Sequence, residues 1–352
     1  MPSSASRGRA RCTWERRSAT SCRSPNAERS RRAAGRVGRG GSQGSRPFRF
    51  LEEILDIHAI DLRVDGLDGA ISTYLLLGPE PALVDPGPST CLPRLEAELA
   101  AHGLTAEELK RVFLTHIHLD HAGVTGHLAE RAPGLQVVVH EEGAPHLADP
   151  ERLVRSTRRT FGDEAHERLW GEVRPLREGQ LRPWRPGLPS VAGLLPIPTP
   201  GHIAHHLAYL DQASGTLFSG DALGILLAPG APVHPPTPPP SLDAAAWALT
   251  LRMLEEVEAT RIAAAHFGFH DDPRGRAAEL AARLEELVAA VAAARSAGDG
   301  DAGARYERAV RDRLAPSVGR AQIERYFDTF PAETDWKGVV LYLERLERQS
   351  TS

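Results

Sequence analysis

The order of strand-like and helical segments predicts an α/β protein in which two sheets are covered by helical layers. Three observations carry that prediction. Short apolar runs with strand character fall into two groups, one between residues 57 and 140 and one between 194 and 266. Each group is followed by segments with helical spacing. From Arg276 onward the pattern is helical throughout, and no internal repeat is visible.

In order along the chain, structure is expected to begin near Phe48. Ile57–Leu62, Ile71–Leu77 and Ala82–Asp85 read as successive strands, with turns at Asp68-Gly69 and Gly78-Pro79. Leu92–His102 has helical spacing and is closed by Gly103. Leu109–Thr115 reads as a short strand entering a core, and a helix running to Arg131 is stopped by Pro133-Gly134. Leu135–His140 is a strand. Residues 146–178 form an Arg-rich helical insert with no strand signal. Strands recur from Leu194 to Phe218, then come the proline-rich stretch Pro229–Pro240, a helix over Trp247–Val257 and a final strand at Ile262–His266. In the last segment Leu280, Leu284, Leu287, Val288 and Val291 form an apolar stripe at helical spacing. The domain reading is a basic tail over 1–46, a main domain over 47–275 with its insert near 146–178, and a helical segment over 276–352.

Composition narrows the function classes. An apolar fraction of 41% and a charged fraction of 25% are those of a globular protein in water. No window reaches the run of about 20 apolar residues that a membrane-spanning helix needs. Cys12, Cys22 and Cys91 make neither a disulfide framework nor a zinc-ligand spacing, so a reducing cytoplasm is the expected compartment. Twelve arginines against Glu15 and Glu28 give residues 1–46 about +10 of the net −4, which leaves an acidic body of about −14. Such a tail cannot bury enough apolar surface to order itself, and a start codon assigned too far upstream accounts for it most simply. An acidic body argues against nucleic acid as the main partner, because phosphate backbones call for a basic face.

The densest chemistry lies in Thr115-His116-Ile117-His118-Leu119-Asp120-His121, with four potential metal ligands within six positions. Buried imidazoles and carboxylates must be hydrogen-bonded, paired or coordinated, since leaving them bare costs several kcal/mol. The cluster follows a strand, where its side chains can converge on one point. Downstream, His202 follows the turn Thr199-Pro200-Gly201, Asp221 ends the run Leu217-Phe218-Ser219-Gly220, and His266 ends Ala263-Ala264-Ala265. Each of these follows a β-like run and could project from one sheet edge. Imidazole and carboxylate donors without thiolate suit zinc, iron or manganese.

With these residues in view, the chain resembles the metallo-β-lactamase-fold hydrolase superfamily. Its hallmark is His-x-His-x-Asp-His followed in order by His, Asp and His, and the resemblance covers roughly residues 54–270. It is nearest in motif to glyoxalase II-like and lactonase-like members. It implies a four-layer αβ/βα sandwich with an added C-terminal helical segment. It also implies two divalent metal ions, zinc first and iron or manganese as alternatives. His116, His118 and His202 would hold one ion, Asp120, His121 and His266 the other, and Asp221 would bridge them. Two such ions share a water whose pKa falls toward about 7, and Asp120 would orient that nucleophile and carry its proton. The best-known β-lactamase branch carries a cysteine at the position of Asp221, which argues against antibiotic hydrolysis as the main activity. His206 would pack or support the ligands without ligating. Asp85, in Val84-Asp85-Pro86-Gly87, is either a partner for a ligand histidine or a plain turn residue.

Substrate features are local, because function belongs to the site's surroundings and not to the fold. Arg152, Arg155, Arg158, Arg159 and Arg168 lie on the insert. Arg158 and Arg159 are the candidates for binding an anionic group, against the alternative of a solvated face paired with Glu151, Glu164 and Glu167. Pro235–Pro240 is stiff and could wall the site and present Thr237. The helices after 276 either cap the site or support a homodimer. The expected activity is hydrolysis of a small ester, thioester or lactone. Phosphodiester or nucleic-acid cleavage, and a non-catalytic metal-binding regulatory module, are the alternatives.

Overall fold

The computed structural model describes residues 55–350, so the basic tail expected over 1–46 lies outside the described residues. The first sheet runs in the order β1 (Asp56–Asp61), β2 (Ser72–Leu77), β3 (Ala82–Val84), β4 (Arg111–Phe113), β5 (Gln136–His140) and β6 (Leu181–Trp184). The second has the order β11 (Gly268–Asp271), β10 (Arg261–Ala264), β9 (Thr216–Gly220), β8 (Leu207–Asp211) and β7 (Leu194–Pro198). β1 to β3 are antiparallel neighbours, while β3 to β6 are parallel, as are β9 and β10.

Period-two alternation sorts the side chains into layers. Tyr74, Leu76, Val84, Phe113 and Val138 meet Leu207, Tyr209 and Phe218 between the two sheets. Leu75, Leu83, Val112, Val137 and Val139 point the other way, under α1 (Leu92–Ala101) and α3 (Thr125–Arg131), which follows the single turn α2 (Leu119–Ala122). The outer face of the second sheet is covered by α7 (Ala244–Leu254) and α8 (Pro273–Ala297), through Trp247, Leu251 and the stripe Leu280, Leu284, Leu287 and Val291. The result is the four-layer sandwich that the strand groups and the resemblance imply.

The insert is helical as expected, with α4 (Ala144–Ala148), α5 (Glu151–Phe161) and α6 (Asp163–Leu169). The C-terminal segment comprises α8, α9 (Ala302–Val318), α10 (Arg320–Thr329) and α11 (Ala332–Ser350). Val310, Leu314, Ile323, Tyr326 and Phe327 pack on Leu67, Ala70, Ile225 and Leu227, loop residues flanking the strand ends. These helices therefore cap one end of the sandwich. Among the described residues no helix is long and apolar enough to cross a membrane.

Two strands differ from expectation. β6 reads Leu181-Arg182-Pro183-Trp184, and its proline and arginine hide it. It pairs only with β5, and an edge strand is where a proline is tolerated in a sheet. β11 follows His266 directly, so Ile262–His266 is not the last strand; its polar residues suit an edge paired only with β10.

Candidate metal centre

The candidate ligands gather at the C-terminal ends of β4, β9 and β10 and on the turn after β7. Two bonds tie the sheets together there. The Tyr209 hydroxyl donates to the Leu114 carbonyl at 2.8 Å, and the Tyr74 hydroxyl donates to the Ala264 carbonyl at 2.6 Å.

Backbone geometry at two glycines permits the cluster. Gly201 has φ +146°, and a Cβ there would lie 2.2 Å from Cβ of Trp247. Gly220 has φ +49°, and a Cβ there would lie 2.4 Å from Oγ1 of Thr115. No other residue type fits at either position without displacing a neighbour of the site. Trp247 holds the same turn from α7. Its ring packs edge-on to His202 at 5.7 Å, and its Nε1 donates to the Ala222 carbonyl, beside Asp221, at 2.9 Å.

The outer nitrogens of the histidines fix their tautomers. Nδ1 of His202 lies 2.8 Å from the Pro236 carbonyl, and Nδ1 of His266 lies 2.7 Å from the Ala70 carbonyl. A carbonyl can only accept, so both rings carry the proton on Nδ1 and turn a bare Nε2 inward. The Thr115 hydroxyl donates to Asp85 at 2.7 Å, and so it receives Nδ1–H of His116 at 3.1 Å. Nδ1 of His121 donates to Asp85 at 3.0 Å. Asp85 also accepts the Thr115 N–H at 2.8 Å, so it is a partner of the cluster and not merely a turn residue.

Two groups of ligand atoms result. Nδ1 of His118 lies 2.9 Å from Nε2 of His116 and 2.9 Å from Nε2 of His202. A single Nδ1–H on His118 serves only one of those lone pairs well, whereas a cation among the three serves all of them. Oδ2 of Asp120 lies 3.6 Å from Nε2 of His121 and 4.0 Å from Nε2 of His266. Asp221 stands between the groups. Its Oδ2 is 3.4 Å from Nε2 of His202, and its Oδ1 is 3.5 Å from Nε2 of His121 and 3.4 Å from Nε2 of His266. Nε2 of His121 and Oδ1 of Asp221 are buried without a hydrogen-bond partner. Buried polar atoms are rarely left so, and a divalent cation is the group that would satisfy both. Residues of this kind, with their outer nitrogens held, fit metal ions.

The electrostatics agree. Burial pushes the pKa values of His116 and His118 well below the usual imidazole value, so they are neutral lone-pair donors. His121 is buried too, but the Asp120, Asp221 and Asp85 carboxylates outweigh that effect and hold its pKa well above the usual value. Burial alone would raise Asp221, yet His121 and His202 hold its carboxyl well below the usual range. A field that favours positive charge at His121 also favours a cation. His206 is not among the inward nitrogens. Its Nε2 accepts the Asp221 N–H at 3.2 Å, its Nδ1 pairs with the Thr199 hydroxyl at 2.7 Å, and its ring stacks on His116. It positions Asp221, the supporting role that the sequence suggests.

A cavity of about 540 Å³ opens onto His118, Asp120, His202, Asp221 and His266. The proline stretch walls it, as expected, through Pro236 and Pro238–Pro240. Thr237 is not presented to it. Its side chain is fully buried, its hydroxyl donates to the Asp335 carbonyl at 2.9 Å, and its N–H donates to the Asp335 carboxylate at 2.7 Å. Arg158 and Arg159 do not line it either. Arg158 is turned to Asp163, at 3.0 Å, and Glu167, while the cavity face of α5 is Arg152, Leu153, Ser156, Thr157, Thr160 and Phe161. His205 also lines the cavity, and burial pushes its pKa down to about 4. Trp247, Asp335 and Tyr326 carry no signal in the sequence that marks them for the site, and Arg152 is one of the insert arginines that nothing in the sequence tells apart. Tyr326 comes from α10 and lines the cavity, and its hydroxyl has no hydrogen-bond partner among the described residues.

Comparison with known proteins follows the same lines. The family model described as the Metallo-beta-lactamase superfamily matches residues 66–266. The chain is 24% identical over 191 residues to the protein named Probable metallo-hydrolase YqjP of Bacillus subtilis (strain 168), covering 48% of this chain and 57% of that protein. It is 30% identical over 154 residues to the hydroxyacylglutathione hydrolase of Synechococcus sp. (strain JA-2-3B'a(2-13)), covering 43% of this chain and 48% of that protein. It thus spans about half the length of these curated relatives. Among solved structures, a metallo-beta-lactamase family protein of Thermus thermophilus superposes with a TM-score of 0.60 at 25% identity, covering 84% of this chain and 94% of the other.

Proposed function

This chain belongs to the metallo-beta-lactamase superfamily, and from that premise we propose that it is a metal-dependent hydrolase of a small ester, thioester or lactone. The observation that carries the reading is Asp221, with one carboxylate oxygen toward each group of histidine nitrogens. His116, His118 and His202 would hold one divalent ion, and Asp120, His121 and His266 the other, with Asp221 between them. Zinc is the first choice for such nitrogen and oxygen donors, and iron and manganese are the alternatives. When bound, two such ions supply an activated water and polarise the oxygen of the scissile group.

The rest is done by the protein's own side chains. The Asp120 carboxylate, 21% exposed on the cavity lining, can take a proton from the attacking water at the oxygen that does not face His121 and His266 and return it to the leaving group. The Tyr326 hydroxyl, without another partner among the described residues, is free to donate to a substrate oxygen. Pro236, Phe327 and Phe330 give the same space apolar walls, against which a bound substrate would displace water and strengthen each polar contact. The Synechococcus relative is named for hydrolysis of hydroxyacylglutathione, and that likeness favours an acyl substrate here.

The test is one preparation assayed with a thioester, a lactone, a phosphodiester and a chromogenic cephalosporin. The proposal expects turnover of the thioester or lactone, its loss in Asp221→Ala and on chelation, and its return with added zinc. Turnover of the phosphodiester alone would contradict it.

A further inference from the structure

The walls of the cavity say more about the substrate than the ligands do. Two cationic side chains on them are arginines, and they differ. Arg345 donates from Nη1 to the Pro240 carbonyl at 3.1 Å and from Nη2 to the Leu242 carbonyl, so its guanidinium is committed to holding the proline stretch. Arg152 lines the cavity and has no acceptor among the described residues. Acids are within reach of its helix, from Glu151 on α5 and from Asp163 and Glu167 on α6. Arg155 pairs with Glu151 at 2.9 Å, and Arg158 pairs with Asp163 and Glu167. On the cavity face of α5, by contrast, the arginine goes without a partner.

The carboxylates that share the cavity are not available to it. Asp120 and Asp221 belong to the metal centre. Asp335 is bound to His234 at 2.8 Å and to the Thr237 N–H at 2.7 Å. Ile117, Leu153, Phe161, Trp170, Phe327 and Phe330 give the space of about 540 Å³ a large apolar surface, interrupted by neutral polar side chains such as Ser156, Thr157 and Thr160. That volume lies within the usual range for a small-molecule site and far exceeds what an ester group alone fills.

We propose that the substrate is an amphipathic ester or thioester whose extended apolar acyl portion lies against these walls and whose far end is a carboxylate paired with Arg152. This deepens the hydrolase reading given above and rests on it. One guanidinium, with no second unpaired arginine lining the cavity, matches one carboxylate through two parallel N–H···O bonds. Each apolar group of the chain moved from water to these walls adds to the affinity in proportion to the area it buries. The same pairing gives a chain with a terminal carboxylate an advantage over a wholly neutral one.

Two measurements on the full-length protein test this. Octanesulfonate serves as a carboxylate stand-in that ligates metals weakly, and 1-octanol is its neutral match; binding is followed by tryptophan fluorescence, since Trp170 is in the wall. The sulfonate should bind about tenfold more tightly than the alcohol. Arg152→Gln should abolish that preference with octanol binding unchanged, and Arg158→Gln should preserve it. In kinetics, an octanoyl thioester bearing a terminal carboxylate is compared with the plain octanoyl thioester. Arg152→Gln should raise KM about tenfold for the first only, with kcat unchanged. Equal binding of sulfonate and alcohol, or a preference that survives Arg152→Gln, would overturn the proposal even if thioesters are hydrolysed. If no ester or thioester is turned over but the sulfonate preference depends on Arg152, the anion site stands and the hydrolase reading falls.

Discussion

Asp85 lies 3.0 Å from Nδ1 of His121 and also takes the Thr115 hydroxyl that receives Nδ1 of His116. One buried carboxylate thereby sets the tautomers of two neighbouring imidazoles and turns both Nε2 atoms toward the centre. Asp85→Asn tests this cleanly, because Asn tolerates the left-handed φ of +49° found there. Metal affinity, measured by competition with a chelator, should fall about 10- to 100-fold while the fold persists. Unchanged affinity would return Asp85 to a turn-forming role alone.

Gly201 carries the turn that delivers His202. In Gly201→Ala the new methyl would meet the Trp247 backbone and side chain, the nearest atom at 2.2 Å. A urea titration should show a loss of at least about 2 kcal/mol. A smaller loss with normal metal binding would mean that α7 yields easily and does not fix the turn.

Tyr326 joins the C-terminal helices to the chemistry. Its ring is held by Phe267, Phe327 and Phe330, so Tyr326→Phe keeps the packing and removes only the hydroxyl. Burial, reinforced by Asp221, Asp335 and Asp120, keeps its pKa well above 10, so it acts as a donor and not as a base. Turnover should fall about tenfold or more with little change in thermal stability. Equal turnover by the variant would leave the tyrosine as packing.

The buried histidines make the metal-free protein acid-sensitive. Burial depresses the pKa values of His116, His118 and His206 and takes His205 to about 4. In the unfolded chain these groups titrate near 6.5. Between the two values the unfolded state binds more protons, so stability rises with pH and is lost as pH falls through about 6.5 toward 4. For His205 alone the difference is of order 3 kcal/mol. His121, whose pKa is raised, works in the opposite sense, but it is one group against these four, and burial lowers His166 and His270 as well. Unfolding of chelator-treated protein should need less urea at pH 5 than at pH 7.5, with a shallower dependence in His205→Gln. Equal stability at both pH values would contradict this.

The candidate metal ligands are legible in the sequence because four of them lie within six residues and the others follow strand-like runs, a local signal. The supporting contacts are not. Thr237 reads as available in the sequence, yet Asp335, 98 residues later, takes both its hydroxyl and its N–H. Arg158 and Arg159 read as well as Arg152, because sequence gives the spacing of a helix face and not which face turns inward. β6 is hidden by Pro183, which an edge strand tolerates and a central strand would not. What sequence does not carry is pairing between distant segments, and that pairing shapes the cavity.

Metal stoichiometry tests the central claim most directly. After equilibration with zinc and removal of the excess, elemental analysis should find close to two ions per chain, falling to one or fewer in Asp221→Ala. A saturating content of one ion, unchanged by Asp221→Ala, would contradict a two-ion centre joined through that carboxylate.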